Sequence, residues 1–345
     1  MRPITALLTA GFAALALPAA ADPVRLMSYS DIFKDNYTET VITPFNATSD
    51  AKVEYIGSTS SAVMLGQLRT QKNDPQIDVI MMDTTTAAIA CAEGLVEPVN
   101  AQMMPVLNEL DPQATSTGGA CGPGVTFDHF VIVYDTTVVS PAPKSLKELW
   151  DPKWKGRIGI GSPPNIQGLA MTAILAHADS GNWTKADGAF AQLKALAPSV
   201  QTFDPQPDSN NVVLNGSVTF STGWNARGQL FHDRSNGKLG VMLPSEGTVF
   251  QINTINVVKN SKNHDAAMKF MAYALSAPAQ KAFTERMFYG ATNLKADISP
   301  AAASRTAMAP EYKSRVIPLD WSEMIKLRDN WNNRWKREVI SAGAR

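Results

Sequence analysis

The sequence has none of the short motifs that common nucleotide-dependent and hydrolytic enzymes require. It contains no P-loop, no G-x-G-x-x-G loop, no G-x-S-x-G elbow and no H-E-x-x-H helix. Its four histidines are scattered, and no cluster of His, Asp, Glu and Tyr has the spacing of metal ligands. We therefore expect no cofactor and no metal site. The one catalytic arrangement left open is a hydrolase in which Asp128 and His129 work with a serine from a loop.

An excess of basic residues is also missing. The chain has 31 Lys and Arg against 31 Asp and Glu, so its formal net charge is zero. Nucleic-acid binding needs cationic side chains that neutralise phosphates, and this balance leaves none in surplus. We therefore expect no nucleic-acid partner.

Long apolar runs are confined to the first 21 residues. Arg2 precedes an apolar stretch over residues 4–17, and small residues at 18–21 supply a cleavage site. This pattern is typical of a secretory signal peptide, so we expect residues 1–21 to be removed and the mature chain to begin near Asp22. The alternative is a retained membrane anchor, although the stretch is shorter than the ~20 residues of a spanning helix.

Cysteine is scarce, with only Cys91 and Cys121 in the chain. In an exported protein two cysteines favour one disulfide. It would close a loop of about 30 residues and contribute roughly 3–4 kcal/mol through the entropy of the unfolded chain. Two free thiols or a redox pair are the alternatives, although the spacing is not that of a C-x-x-C motif.

Short apolar runs alternate with helical patterns along the mature chain. Strands are expected at residues 24–27, 52–56, 77–82, 125–134, 157–160, 218–220 and 249–258. Helices are expected at residues 31–45, 60–72, 87–93, 168–178, 185–196, 264–275, 279–286 and 320–340, with another that begins at 224. Such alternation predicts an α/β fold whose mostly parallel sheets are covered by helices on both faces.

The length of the chain favours two domains of ~150 residues each. The two longest strands, at 125–134 and 249–258, flank the middle of the chain, and we interpret them as hinge strands between two lobes. Lobe 1 would comprise residues 22–128 and 254–300, and lobe 2 residues 129–253 and 301–345. The lobe on which the last helix packs is left open.

Hydroxyl side chains are concentrated where the strands of the first lobe end. In open parallel sheets, ligands bind outside the carboxyl ends of the strands. The candidate residues at these three corners are Tyr29, Ser30, Asp31, Ser58, Thr59, Ser60, Asp83, Thr84 and Thr85. Helix capping needs only one such residue for each helix, so the surplus favours contacts with a polar solute, and the helix N-termini favour an anionic group. Capping alone is the alternative.

The second lobe offers two further corners, at residues 161–168 and 222–227. The first contains Asn165 and Gln167. The second contains Trp224, an aromatic wall, and Arg227, whose guanidinium can bind a carboxylate or phosphonate through two hydrogen bonds. The alternative is a core tryptophan and a surface arginine.

Residues 145–158, SLKELWDPKWKGRI, resemble a characteristic segment of extracellular solute-binding proteins of the polyamine and iron(III) type. Residues 78–83, 246–250 and 289–293 resemble further segments of the same family. The resemblance implies a periplasmic-binding-protein fold of the class II type, with two α/β lobes, two hinge strands and a ligand in the cleft. It also implies a monomer in the periplasm that delivers a small solute to an inner-membrane ABC permease.

The sequence departs from the family in the residues that would bind the solute. Polyamine receptors of this family use carboxylates, but Gln251 and Asn253 stand where such receptors usually read Trp-x-Asp, and Asn165 and Gln167 occupy a loop that is often acidic. A buried dication beside one or two carboxylates would be poorly compensated. The iron(III) branch uses adjacent tyrosines, and no Tyr-Tyr pair is present.

These departures favour a monoanion or a zwitterion, such as an ω-amino acid, an aminophosphonate or a small organic acid. Arg227, Thr59 and Thr84 would hold the acidic group, and Asp31 or Asp83 an ammonium group. The remaining expected contacts come from both lobes and the hinge: Phe127, Asp128, His129, Asn165, Gln167, Trp224, Phe250, Asn253 and Tyr289. A polyamine receptor, an iron(III) receptor and a periplasmic hydrolase are kept as alternatives.

Overall fold

The computed structural model describes residues 22–116 and 121–343, so the predicted signal peptide lies outside the described residues. The strands are β1 Val24–Tyr29, β2 Val53–Ser58, β3 Val79–Asp83, β4 Gly124–Asp135, β5 Ile158–Gly159, β6 Val200–Thr202, β7 Phe220–Trp224, β8 Leu239–Met242 and β9 Phe250–Val257. The first helices are α1 Ile32–Tyr37, α2 Thr43–Thr48, α3 Ser61–Thr70, α4 Thr84–Ala92 and α5 Pro112–Ser116. The middle helices are α6 Ile166–Ser180, α7 Asp187–Leu196, α8 Ser209–Leu214 and α9 Asn225–Arg234. The last are α10 His264–Ala274, α11 Ala277–Met287, α12 Pro300–Ala303, α13 Pro310–Lys313, α14 Trp321–Arg334 and α15 Ser341–Gly343. Of these described helices, none has the length and apolar character to cross a membrane.

The strands form a mixed sheet in the order β2-β1-β3-β9-β4-β7-β5-β6, with β8 also paired to β4. The parallel pairs are β1–β2, β1–β3, β5–β6 and β5–β7. Strand β4 is long and buried along its whole length, including its polar residues Thr126, Asp128 and His129. It pairs with β9 up to His129 and with β7 and β8 from Phe130 onwards, so it passes from one half of the sheet to the other.

Each half of the sheet has its own apolar core. One core contains Val24, Val79 and Ile255, and the other contains Phe130, Ile158 and Leu169. The C-terminal helix belongs to the second core, because its residues Trp321, Met324, Trp331, Trp335 and Val339 are buried there. The indole nitrogen of Trp335 donates a hydrogen bond of 2.9 Å to the hydroxyl of Thr172 on α6.

A third segment crosses between the two halves beside the two predicted hinge strands. Ala302 and Ala307 are buried in the first core, whereas Ile317 is buried in the second. Between them the chain runs alongside the start of β9, where the amide of Ile317 donates to the carbonyl of Thr248 at 2.8 Å. The division of the sequence into lobes implies a change of half between residues 300 and 301, whereas the buried residues place the crossing between Ala307 and Ile317.

The predicted disulfide is confirmed. Cys91 and Cys121 are bonded, with their Cα atoms 5.9 Å apart and a sequence separation of 30. The bond ties the end of α4 to the segment that leads into β4. It therefore joins the first set of strand–helix units to the strand that crosses between the halves.

Candidate functional site

The predicted site residues lie in one band across the sheet. From one edge to the other, the opposed residues are Ser58–Tyr29, Asp83–Asn253, Gln251–Asp128, Phe250–His129 and Phe130–Trp224. Because β1, β2 and β3 are parallel, their carboxyl ends meet at one edge of the sheet. The band therefore brings predicted corners of both halves close to β4 and β9, the paired strands at the junction of the two halves.

A hydrogen-bond network joins three corners of the first half. The hydroxyl of Tyr29 donates to Oδ1 of Asn253 at 3.0 Å and shares a 3.0 Å hydrogen bond with the hydroxyl of Ser61. Ser61 accepts in turn from the amide of Asp83 at 3.0 Å. Burial, together with the nearby Asp83 carboxylate, raises the pKa of Tyr29 far above its usual value, so the phenol stays protonated and able to donate. The network fixes the ends of β1 and β3 against β9.

Tyr29→Phe should lower the free energy of unfolding by about 1–2 kcal/mol, because it removes both hydrogen bonds and leaves buried polar partners unpaired. Urea unfolding measures the change. Tyr273→Phe is a matched control, since no hydrogen bond of its hydroxyl to a described residue is seen while its ring packs on Phe45. Equal stability of the two variants would contradict a structural role for this network.

Arg227 reaches across the cleft from α9. Its guanidinium interacts electrostatically with the hydroxyl of Tyr289, which follows α11 in the first half, and with those of Tyr29 and Tyr55. Burial raises the pKa of Tyr289 to about 12, so its phenol is neutral. Arg227 is only partly buried, and it forms no ion pair with any carboxylate in the described part of the chain. A cation surrounded by neutral phenols is suited to an anionic group from outside the protein.

Asp128 caps helix α9 from outside the helix. Its Oδ1 accepts hydrogen bonds from the amides of His129 at 2.8 Å and Ala226 at 3.0 Å, while Oδ2 has no partner among the described residues. Burial raises the pKa of Asp128 to about 7, against the opposing effect of these two amides, of Arg227 and, least, of the backbone amide of Asn225. The protein's own carboxyl therefore occupies the N-terminus of α9, so an external anion is left to the Arg227 side chain.

His129 lies inside the crossing, and its side chain is fully buried. Its ring packs at 4.6 Å from the ring of Tyr312, and neither ring nitrogen has a hydrogen-bond partner among the residues described. Burial lowers the pKa of His129 to about 3, so the imidazole is neutral. No described serine lies within hydrogen-bond reach of this ring, and the arrangement that a hydrolase would need is not formed by these residues.

Several predicted contacts use their polar atoms within the protein. Asp83 caps α4, accepting at Oδ1 from the amide of Thr86 and the hydroxyl of Thr85, and at Oδ2 from the hydroxyl of Thr86. The hydroxyl of Thr84, which is 2% exposed, donates to the carbonyl of Ile252 at 2.8 Å. At this corner the observed hydrogen bonds are therefore those expected from helix capping alone, the alternative to contacts with a solute.

Three predicted amides also use their polar atoms within the protein, and two predicted aromatic rings pack on each other. Oδ1 of Asn165 caps α6, and Oε1 of Gln167 accepts from the hydroxyl of Thr222 at 2.8 Å. Nδ2 of Asn253 donates to Thr126 at 3.0 Å. The rings of Phe127 and Phe250 stack on each other with 5.6 Å between centroids, and both are buried. In this conformation these side chains are therefore engaged in contacts within the protein.

Four other predicted residues remain open to solvent at the rim. Asp31 and Thr59 are exposed, and Ser30 and Ser60 are partly exposed, with Ser60 as the cap of α3. Asp31 has φ 60° and ψ −138° and makes no side-chain capping bond. Such a backbone conformation costs a non-glycine residue about 1–3 kcal/mol and occurs preferentially at functional sites. Trp224 is half-buried, with its ring edge-on to Phe130, and Ser58 is buried.

Two aromatic residues of the cleft were missed from the sequence. The hydroxyl of Tyr55 donates to the carbonyl of Tyr29 at 2.6 Å, and its pKa is raised by burial and lowered in part by Arg227. Tyr312 covers His129 from the third crossing segment. Tyr55 lies three residues before the end of its strand, where an aromatic side chain is expected in a sheet for packing alone. Neither position carried a sequence signal for a site.

Within residues 22–116 and 121–343, no group of three or more His, Cys, Asp or Glu side chains is placed to hold a metal ion. The features that the structure does bring together are two α/β halves, strand ends of both halves in one band, and a guanidinium without an ion-pair partner in the described part of the chain. This combination is typical of a solute-binding protein.

Comparison with known proteins identifies the family. Residues 40–313 match the family of bacterial extracellular solute-binding proteins, and the chain belongs to this family. The spermidine/putrescine-binding periplasmic protein of Escherichia coli strain K12 is 25% identical over 360 residues, which cover 98% of this chain and 94% of that protein. The gamma-aminobutyric acid-binding protein of Pseudomonas aeruginosa is 24% identical over 317 residues, which cover 88% of this chain and 84% of that protein.

The crystal structure of an ABC transporter substrate-binding protein from Bradyrhizobium japonicum superposes with a TM-score of 0.79 at 18% identity, over 92% of this chain and 99% of that one. The predicted periplasmic-binding-protein fold is thus confirmed. The chain is a substrate-binding receptor of the kind that serves ABC importers. Its family consists of extracellular solute-binding receptors rather than enzymes.

Proposed function

We propose that this receptor captures a small solute with one acidic group, either a monoanion or a zwitterion such as an ω-amino acid, an aminophosphonate or a small organic acid. The observation that carries the proposal is Arg227, which interacts electrostatically with the phenol of Tyr289 and has no ion-pair partner among the described residues. A partly buried guanidinium beside neutral phenols is suited to paired hydrogen bonds with an anion. A solute carboxylate or phosphonate supplies that anion.

The similarity to polyamine receptors makes putrescine and spermidine the second candidates. The side chains of this cleft argue against them. Both oxygens of Asp83 accept hydrogen bonds from Thr85 and Thr86, and the amides at Gln251 and Asn253 bring no negative charge. The gamma-aminobutyric acid-binding relative in Pseudomonas aeruginosa supports the zwitterion instead.

Capture proceeds by hinge closure around the crossings of β4 and β9. The solute contacts Arg227 from one half and the rim residues Ser30, Asp31 and Thr59 from the other, so its binding shifts the population towards the closed form. A transmembrane permease would then recognise surfaces that are aligned only in that form. We further propose that residues 1–21 are removed on export, that the mature receptor is a periplasmic monomer and that it binds no nucleic acid.

A thermal-shift screen of the purified mature protein tests this function. The panel contains 4-aminobutyrate, 5-aminovalerate, 2-aminoethylphosphonate, succinate, putrescine, spermidine and ferric citrate. A solute at 100 times its dissociation constant adds about 2.7 kcal/mol of stability, which should raise the melting temperature by about 5–10 °C. Shifts with the acids alone support the proposal. A shift only with polyamines or ferric citrate contradicts it, and a bound acid that is converted to product on incubation would show a hydrolase.

A further inference from the structure

One buried carboxyl oxygen in the receptor has no partner in the described structure. Asp128 is 1% exposed, and its Oδ1 is occupied by the amides of His129 and Ala226, but Oδ2 accepts from no described residue. Buried polar atoms are hydrogen-bonded in the large majority of cases, and an exception requires an explanation. A group that arrives from outside the protein is one such explanation.

The position of Asp128 connects this oxygen to the solute site. Its backbone is opposite Gln251 in the band of strand ends, and its carboxyl lies at the N-terminus of α9, the helix that carries Arg227. The side chains of Arg227 and Tyr289 both interact electrostatically with it. Of the other acidic candidates, Asp83 has both oxygens occupied and Asp31 lies at the exposed rim. Of these three carboxyl groups, Asp128 is therefore the one with a buried oxygen that lacks a described hydrogen-bond partner, and it interacts electrostatically with Arg227 and Tyr289.

We infer that Asp128 is a specificity-determining residue that accepts the ammonium group of a zwitterionic solute whose acidic group is bound by Arg227. This inference rests on the proposed function and narrows it to solutes that carry both charges, with an ω-amino acid as the simplest example. Arg227 lies in the first turn of α9 and the carboxyl of Asp128 lies at the N-terminus of the same helix, so once Asp128 is ionised the two groups match a solute with an acid at one end and an amine at the other.

The inferred role makes binding depend on pH. Three titratable groups lie near Asp128. Arg227 on α9 is charged, whereas the phenol of Tyr289, on the segment after α11, and the adjacent imidazole of His129 are neutral. Burial keeps the pKa of Asp128 near 7, and an arriving ammonium group favours the ionised form. Binding of 4-aminobutyrate at pH 6 should thus release up to about one proton, and the affinity should rise by about fivefold between pH 6 and pH 7.

The test compares 4-aminobutyrate with butyrate, which has the same acid and chain but no amine, in wild type and Asp128→Asn. We expect Asp128→Asn to weaken the binding of 4-aminobutyrate by about 30-fold or more and the binding of butyrate by less than about threefold. Only 4-aminobutyrate has an ammonium group that loses a buried charge partner. Asp135→Asn is the matched control. Asp135 is also buried on β4, but it accepts from the amide and hydroxyl of Thr137, away from the cleft. It should change neither affinity.

Calorimetry of the wild type in buffers of different ionisation enthalpy measures the released proton and needs no variant. Two results would overturn the role of Asp128 and leave the proposed function intact. One is an unchanged ratio of the dissociation constants of 4-aminobutyrate and butyrate in Asp128→Asn. The other is binding of 4-aminobutyrate by wild type at pH 6 without proton release. If wild type binds neither these acids nor any other acid of the panel, the proposed function and this inference fail together.

Discussion

His129→Gln is expected to lose stability as the pH rises from 4 to 6.5, whereas Asp128→Asn is expected to gain stability over the same range. Both predictions follow from the neutral forms of two adjacent buried groups. Burial raises the pKa of Asp128 from 3.8 to about 7 and lowers that of His129 from 6.5 to about 3. In this window the folded protein therefore holds a proton on Asp128 and none on His129.

The unfolded chain holds its proton on the other residue, since an unfolded Asp is ionised above pH 3.8 and an unfolded His is protonated below pH 6.5. Each state thus has one proton on the pair, and the wild-type pair contributes no dependence of stability on pH. Without His129, only the folded state holds a proton, so stability falls as the pH rises. Without the acid at Asp128, only the unfolded state holds one, so stability rises.

The slope for each single variant approaches about 1.4 kcal/mol per pH unit, or about 3 kcal/mol over the window, with opposite signs. Urea unfolding at pH 4, 5, 6 and 6.5 measures it, with each variant expressed as a difference from wild type so that all other titrating groups cancel. The double variant Asp128→Asn/His129→Gln is the control and should show no slope. Parallel curves for wild type and both single variants would contradict the buried neutral pair.

The alternation of strands and helices was enough to predict most of the fold. The long β-type runs at 125–134 and 249–258 correspond to β4 and β9, although both strands contain buried polar residues such as His129 and Asn256. The elements that were missed are short. β6 has three residues, β8 has four, and α8 lies in a stretch rich in Asp, Asn and Pro that is typical of a loop.

The candidate site was harder to predict, because a sequence shows which groups are present but not which are already paired. The hydroxyl of Thr84 and the carboxylate of Asp83 matched the expected chemistry, yet their hydrogen bonds are formed inside the protein. Conversely, the capping of α9 by Asp128 joins residues 98 positions apart. Only the folded chain shows that this cap leaves Oδ2 of Asp128 without a described hydrogen-bond partner and that Arg227 approaches Tyr289.

Arg227→Ala should weaken the binding of 4-aminobutyrate by at least about 2 kcal/mol, which is a factor of about 30, and by as much as about 5 kcal/mol. The truncation leaves the acidic group of the solute desolvated beside neutral phenols. Arg227→Lys should lie between wild type and Arg227→Ala, because lysine keeps the charge but cannot form the paired hydrogen bonds of a guanidinium. Isothermal titration calorimetry gives the dissociation constants.

Arg234→Ala is the matched control, because Arg234 ends the same helix α9, is exposed and lies away from the phenols. Its binding should equal that of wild type. Butyrate adds the decisive comparison: Arg227 binds the acidic group in both compounds, so Arg227→Ala should weaken butyrate and 4-aminobutyrate alike, whereas Asp128→Asn affects the amine alone. An unchanged dissociation constant in Arg227→Ala would remove the guanidinium from the site, and with it the reason to expect an acid in this cleft.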